Sequence, residues 1–173
     1  MPQTALLHRI DYPLATAING GLAEAILSLP PSAFNRRSHF FHGRYENLYI
    51  DAGRLPGLEA ILTTARVHAA AILGQAPASL RLGFWLNIMH RGDVTTLHSH
   101  DDDDEVLSAV YYVQVPAEAG LFRLHRGKEV EEIRPVEGRF MFFDPALPHE
   151  VSEHRGEAPR ISIGMNFGLP QLD

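Results

Sequence analysis

The chain has 173 residues, a formal net charge of -6, 45% hydrophobic and 21% charged residues, and no cysteine. A chain of this size buries about 70% of its unfolded surface, so disorder is not expected and residues 1–173 are read as a single domain. The missing thiols exclude disulfides, thiolate catalysis and iron–sulfur clusters; the acidic balance argues against nucleic acid, and no apolar run reaches the ~18 residues of a membrane span.

Met1-Pro2-Gln3-Thr4 lacks the basic-then-apolar pattern of a secretion signal, and together with the absent cysteines this predicts a cytoplasmic protein. Leu22, Ala23, Ile26 and Leu27 recur at helical spacing and stop at Pro30-Pro31, with Asn19 as the expected cap. A second helix is predicted from Pro56 to Leu73, ended by Gly74. Its stripe is Ile61, Leu62, Ala65, Ala69 and Ile72, beside which His68 reads as a packed core histidine.

From residue 80 the texture changes to short β-rich runs separated by turn residues. They are Leu80–His90, Val94–Ser99, Val106–Gln114, Gly120–His125, Val130–Arg134, Arg139–Phe143, Pro148–Ser152 and Arg160–Phe167. Such a series with no intervening helix predicts a jelly-roll or barrel. The expected division is therefore an N-terminal helical and strand cap over 1–79 and a β core over 80–168, with the helices packed on one sheet.

The ten histidines are a large share of this chain. His98-Ser99-His100 ends one predicted strand, and alternation turns both imidazoles to one face. His149 follows Asp144-Pro145-Ala146-Leu147-Pro148, a turn that leads into another strand. If those strands are neighbours, three neutral nitrogens meet, a reasonable first shell for a divalent metal. The acidic run Asp101-Asp102-Asp103-Asp104-Glu105 offers Asp102 or Glu105 as a further ligand. On the last strand Arg160 and Ser162 share a face that Gly164 and Asn166 continue. A guanidinium fork beside a hydroxyl suits a carboxylate deep in a barrel.

At these residues the chain resembles the Fe(II)- and 2-oxoglutarate-dependent oxygenases, and most of all their small bacterial and phage members. The matching stretches are Trp85-Leu86-Asn87, Gly92, Leu97-His98-Ser99-His100, Leu107 to Val113, Pro116 with Gly120, Ile133-Arg134-Pro135, Gly138, Phe143-Asp144-Pro145, His149-Glu150-Val151, Arg160-Ile161-Ser162-Ile163 and Asn166. They run from Arg81 to Phe167, about half the chain. The resemblance implies a mainly β (α+β) double-stranded β-helix, jelly-roll and cupin-like, and a hydroxylase of unknown primary substrate. It implies Fe(II) held by His98, His100 and His149. It implies 2-oxoglutarate chelating that iron, with its far carboxylate on Arg160 and Ser162. Either Tyr111 or Tyr112 would donate to the cosubstrate; Tyr112 shares a face with Ser108 and Val110. Asn87 alternates with Trp85 and Met89 and reaches the same site from the first barrel strand.

Two departures stand out. The broad superfamily carries His-x-Asp or His-x-Glu where this chain has His98-x-His100, although the resembling group carries His-x-His itself. The frame His100-x-Asp102 would restore the acid with a two-residue shift. Ala109 stands where glycine is usual. A rival likeness is to cupins: Gly92, His98, His100, Glu105, Gly138 and His149 follow their metal-motif spacing, with Ala146 and Glu153 off pattern. The alternatives to the oxygenase are therefore a cupin-type metalloenzyme without 2-oxoglutarate, and a non-enzymatic jelly-roll that binds a small acid. Expected partners are a small-molecule or peptide substrate and a second copy paired through a jelly-roll edge as a homodimer.

Overall fold

The computed structural model describes residues 7–100 and 104–170. In chain order the elements are β1 Leu7–Asp11, α1 Ala15–Leu27, β2 Arg36–Phe41, β3 Arg44–Tyr49, α2 Leu58–Leu73, β4 Arg81–Met89, β5 Thr95–His98, β6 Glu105–Gln114, β7 Phe122–Arg126, β8 Glu129–Ile133, β9 Arg139–Phe143, β10 His149–Val151 and β11 Arg160–Gly168. All eight strands expected after residue 80 are present. They form two antiparallel sheets, the larger in the order β1-β9-β6-β11-β4-β3-β2 and the smaller β5-β10-β7-β8.

Three strands of the N-terminal cap had not been placed from the sequence. β1 pairs with β9, while β2 and β3 form a hairpin that extends the large sheet beyond β4. The hairpin has a two-residue loop, His42-Gly43, with φ of 50° and 79°, the positive values of a type I′ turn. The signal was in the chain: a glycine turn between Phe40-Phe41 and Tyr45. β2 is exposed along most of its length, so it has no buried face to impose an apolar alternation.

Alternation along the large sheet sorts its side chains into two cores. On β11, Ile161, Ile163, Met165 and Phe167 face the helices, joined by Leu107, Ala109, Tyr111 and Val113 of β6 and by Phe140 and Phe142 of β9. Onto them pack Leu22, Ala23 and Ile26 of α1, and Leu58, Ile61, Leu62, Ala65 and Ala69 of α2. The α2 set recurs at the three- and four-residue steps that put side chains on one helical face. Each large aliphatic or aromatic side chain buried there contributes roughly 1.5–3 kcal/mol. His68 packs its ring near Phe140 and Phe142, as expected. Asn19 is not a cap: it lies inside α1, where its Oδ1 accepts the Tyr111 hydroxyl at 2.8 Å.

The opposite face of the large sheet looks into the barrel. There Met89, Val110, Tyr112, Met141 and Phe143 meet Phe122, Leu124, Ile133 and Val151 of the small sheet. On β11 this inward face reads Arg160, Ser162, Gly164 and Asn166, a polar series on a fully paired strand. That series marks where the site is.

Candidate active site

β5 and β10 are neighbours in the small sheet, and His98 is paired directly with His149. His100 lies just past the end of β5, its backbone N–H donating to Pro145 O at 2.8 Å. The ring centroids of His98 and His149 are 4.3 Å apart, those of His98 and His100 5.0 Å, and those of His100 and His149 5.2 Å. One nitrogen from each lies within 4.8 Å of the others, and this is the one such group among the described residues. Thus the strands bring together the three histidines expected to meet. Asp102 lies outside the described residues. Glu105 stands apart from the cluster, its Oε1 accepting Asn166 Nδ2 at 3.1 Å.

The rings are oriented by their surroundings. His98 Nδ1 donates to Thr96 O at 2.7 Å, and His149 Nδ1 donates to Leu147 O at 2.8 Å. A carbonyl only accepts, so both Nδ1 atoms carry the proton and both Nε2 atoms keep a lone pair. Burial, then the neighbouring His98, pushes the His149 pKa down to about 3, which keeps that imidazole neutral. These are properties of a divalent-metal donor set.

β5 itself is held by residues that sequence reasoning missed. Its free edge faces β3, whose buried Glu46 accepts Thr96 N–H at 2.8 Å and the Thr96 hydroxyl at 3.0 Å. Arg44 donates to Val94 O at 2.8 Å and to Thr95 Oγ1 at 3.2 Å. Two side chains of the β2–β3 hairpin thus replace a backbone ladder along the strand that carries His98.

Arg160 opens β11 beside the cluster and is 1% exposed. Its Nη1 donates to Ser162 Oγ at 3.3 Å, and its guanidinium lies 5.3 Å from the Tyr112 ring. No carboxylate pairs with it among the described residues, and burial pulls its pKa below the ordinary arginine value. Its Nε and the Tyr112 hydroxyl are both buried without a hydrogen-bond partner. Burial likewise raises the Tyr112 pKa to about 12. Tyr111 points the other way, to Asn19. Asn87 lines the same slot, with Nδ2 donating to Thr95 Oγ1 at 3.0 Å and Oδ1 accepting from Arg44 at 3.2 Å. A buried guanidinium with an unpartnered Nε, next to an unpartnered Tyr112 hydroxyl, suits an anionic guest. A cupin-type metal site has no use for such a buried arginine, so the interior position of Arg160 counts against the cupin alternative.

Residues 84–168 match the sequence profile of the 2OG-Fe(II) oxygenase superfamily. By this stretch the chain belongs to that superfamily. The oxygenase is accordingly an enzyme that depends on Fe(II) and 2-oxoglutarate, and the His98, His100 and His149 cluster and the Arg160 slot fit those two groups. Solved structures agree on the fold. A Pseudomonas putida prolyl-4-hydroxylase is similar over 97% of this chain and 95% of its own, at 21% identity and a TM-score of 0.70. A Burkholderia pseudomallei oxidoreductase of the 2OG-Fe(II) oxygenase family is similar over 94% and 84%, at 16% identity and a TM-score of 0.68. A Trichoplax adhaerens prolyl hydroxylase, solved with a hypoxia inducible factor peptide fragment, covers 94% and 83%, at 16% identity and a TM-score of 0.64. The oxygenase thus has the double-stranded β-helix expected of it. No curated protein shows a significant sequence match to this chain.

Proposed function

We propose that His98, His100 and His149 hold the Fe(II), and that Arg160 receives the far carboxylate of 2-oxoglutarate with Ser162, Tyr112 and Asn87 around it. The observation that carries this is the buried, uncompensated Arg160 beside the orphaned Tyr112 hydroxyl. When bound, iron and 2-oxoglutarate supply the oxidising power with which the superfamily hydroxylates a C–H bond.

The chain's own part is positional. Arg160 offers a planar fork to the carboxylate, and the Tyr112 hydroxyl donates a further hydrogen bond. Ser162 Oγ accepts from Arg160 and leaves its own proton for the guest. Asn87, held by Thr95 and Arg44, walls the slot without moving. Met89, Val110, Phe122, Phe143 and Val151 keep water out, which strengthens every charge interaction inside. The carbonyls of Thr96 and Leu147 hold His98 and His149 in the tautomer that presents Nε2.

Among the described residues no helix is long and apolar enough to cross a membrane. The acidic charge supports an enzyme acting on a small molecule or peptide rather than on nucleic acid, and our reading is of a cytoplasmic single domain over 1–173 whose exposed sheet edge offers a place for a second copy to pair as a homodimer.

The test is a titration of 2-oxoglutarate into the metal-loaded chain and its Arg160→Met variant by calorimetry. Losing the partner of a buried charge weakens binding by about 2–5 kcal/mol, or roughly 30- to several-thousand-fold. Metal content stays at the parent level, and Arg160→Lys restores binding only in part, since it lacks the fork. Equal 2-oxoglutarate affinity in parent and Arg160→Met removes the proposed role of Arg160.

A further inference from the structure

The roles proposed so far leave a second and larger cavity unused. It has a volume of about 420 Å3 and opens beside the histidines, between the β2–β3 hairpin and the barrel mouth. The inner slot is far narrower, about 50 Å3. Asn47, Trp85, His100 and Asn166 line both. The Trp85 indole lies over Gly164, where a Cβ would stand 2.3 Å from it, so the missing side chain lets the ring partition the two spaces. A volume of this order suits a small-molecule site.

The walls of the cavity sort by charge. At its β4–β6 end Arg81 is ion-paired with Asp104 and also donates to Leu169 O, so that cation is already answered. At the other end Arg36 sits on the outermost strand of the sheet, opposite Tyr49, with its guanidinium 4.5 Å from the Tyr49 ring centroid. Among the described residues no carboxylate pairs with Arg36. The Leu48–Leu86 pairing of β3 with β4 sets Tyr49 beside Trp85 in the next strand. The Trp85 ring is 5.7 Å from that of His100. Arg36, Tyr49, Trp85 and His100 therefore form a row: a cation at the outer end, two aromatic rings, and the reaction centre at the inner end. Arg36 and Trp85 are two strand spacings apart, about 10 Å. His39 also lines this wall.

We propose that this cavity binds the oxygenase's primary substrate and that the substrate is a small organic acid with an aromatic or flat apolar body. Its carboxylate lies on Arg36, its body runs along Tyr49 and Trp85, and the C–H bond to be oxidised faces His100 and the other histidines. The assignment rests on the reading that those histidines hold the iron. The carboxylate on a stacked guanidinium supplies orientation, and the aromatic wall supplies most of the buried apolar contact.

Trp85 is the sole tryptophan of the chain and also borders the inner slot, so once that slot is saturated with 2-oxoglutarate a further change in its emission reports on this cavity. The full chain, loaded with Zn(II) and saturating 2-oxoglutarate, is titrated with phenylacetate and with phenylacetamide, which share shape and differ in charge. The expected result is a saturable change in emission with the acid bound at least tenfold tighter than the amide. In Arg36→Met the two probes bind within about twofold of each other, and Arg36→Lys keeps part of the preference; both variants bind 2-oxoglutarate as the parent does. Arg160→Met gives the opposite pattern, losing 2-oxoglutarate while keeping the preference for the acid. The same titrations on the metal-free chain separate the two readings, because a failure of the iron and 2-oxoglutarate assignment leaves the Arg36-dependent preference intact. The proposal is overturned if the parent binds neither probe, if it binds both equally, or if the preference survives Arg36→Met.

Discussion

Tyr111 and Tyr112 are adjacent on β6, both are fully buried, and burial raises the pKa of each to about 12. Tyr111 faces the helices and gives its hydroxyl proton to Asn19. Tyr112 faces the barrel interior, where its hydroxyl has no partner and a buried guanidinium stands beside it. The outer core is finished: apolar side chains pack densely, and its few polar groups are satisfied. In the inner core Arg160 and Tyr112 remain costly until a guest arrives. One sheet thus spends the stability of its outer face to hold strain-prone polarity on the other.

The largest expected contrast comes from emptying each core in turn. His149→Ala leaves two imidazoles, so stoichiometric iron binding disappears while the protein stays folded. Phe140→Ala does the reverse: a cavity in the outer core costs about 3–5 kcal/mol, seen as a large fall in Tm, while the folded fraction still takes up iron. Metal analysis and thermal melts on both variants check the pair. Full iron content in His149→Ala would remove the cluster from consideration.

Glu46→Ala comes next. Its carboxylate is the clamp on Thr96, and the Thr96 carbonyl holds His98. Removing a support one step behind a ligand typically weakens a metal about 10- to 100-fold. Glu46→Gln keeps an acceptor for the Thr96 N–H and recovers most of this, measured as Co(II) affinity by titration. Parent-like affinity in a folded Glu46→Ala would limit the hairpin to a structural role.

The tyrosines themselves give a smaller and more pointed test. Tyr111→Phe strands Asn19 Oδ1 in the core and costs about 1–3 kcal/mol. Tyr112→Phe removes a hydroxyl that has no partner, so the ligand-free protein keeps or gains stability while its affinity for 2-oxoglutarate falls. Denaturant melts with and without 2-oxoglutarate separate the two effects. The smallest effect is expected from Asp102→Asn and Glu105→Gln. If three histidines hold the iron, both variants bind it nearly as the parent does. A collapse in Asp102→Asn would instead identify a His100-x-Asp102 frame, and one in Glu105→Gln a four-ligand set.

The strands after residue 80 were legible because each is a short β-rich run with turn residues at its end. Side-chain alternation along a strand put His98 with His100, and Arg160 with Ser162, before any fold was known. The strands β1, β2 and β3 were not legible. Exposed residues alternate with nothing in particular, and only the His42-Gly43 turn betrayed the hairpin. That blind spot hid Arg36, Arg44 and Glu46, of which Arg44 and Glu46 act on partners 50 residues away.

By itself the sequence determined the local facts: the β texture, the two histidines on one face, the arginine and serine on another, and the absence of thiol chemistry. These follow from backbone geometry and composition, which act between near neighbours. Tertiary structure decided the rest. Pairing β10 with β5 brought His149 against His98. Packing the helices on one face of the large sheet turned Tyr111 outward and left Tyr112 and Arg160 to the interior. Extending that sheet by β3 and β2 set Arg36 in a row with Trp85. Each of these depends on which distant segment shares a hydrogen-bonded edge, a choice made by burying the whole apolar surface at once, and one that no local window of residues contains.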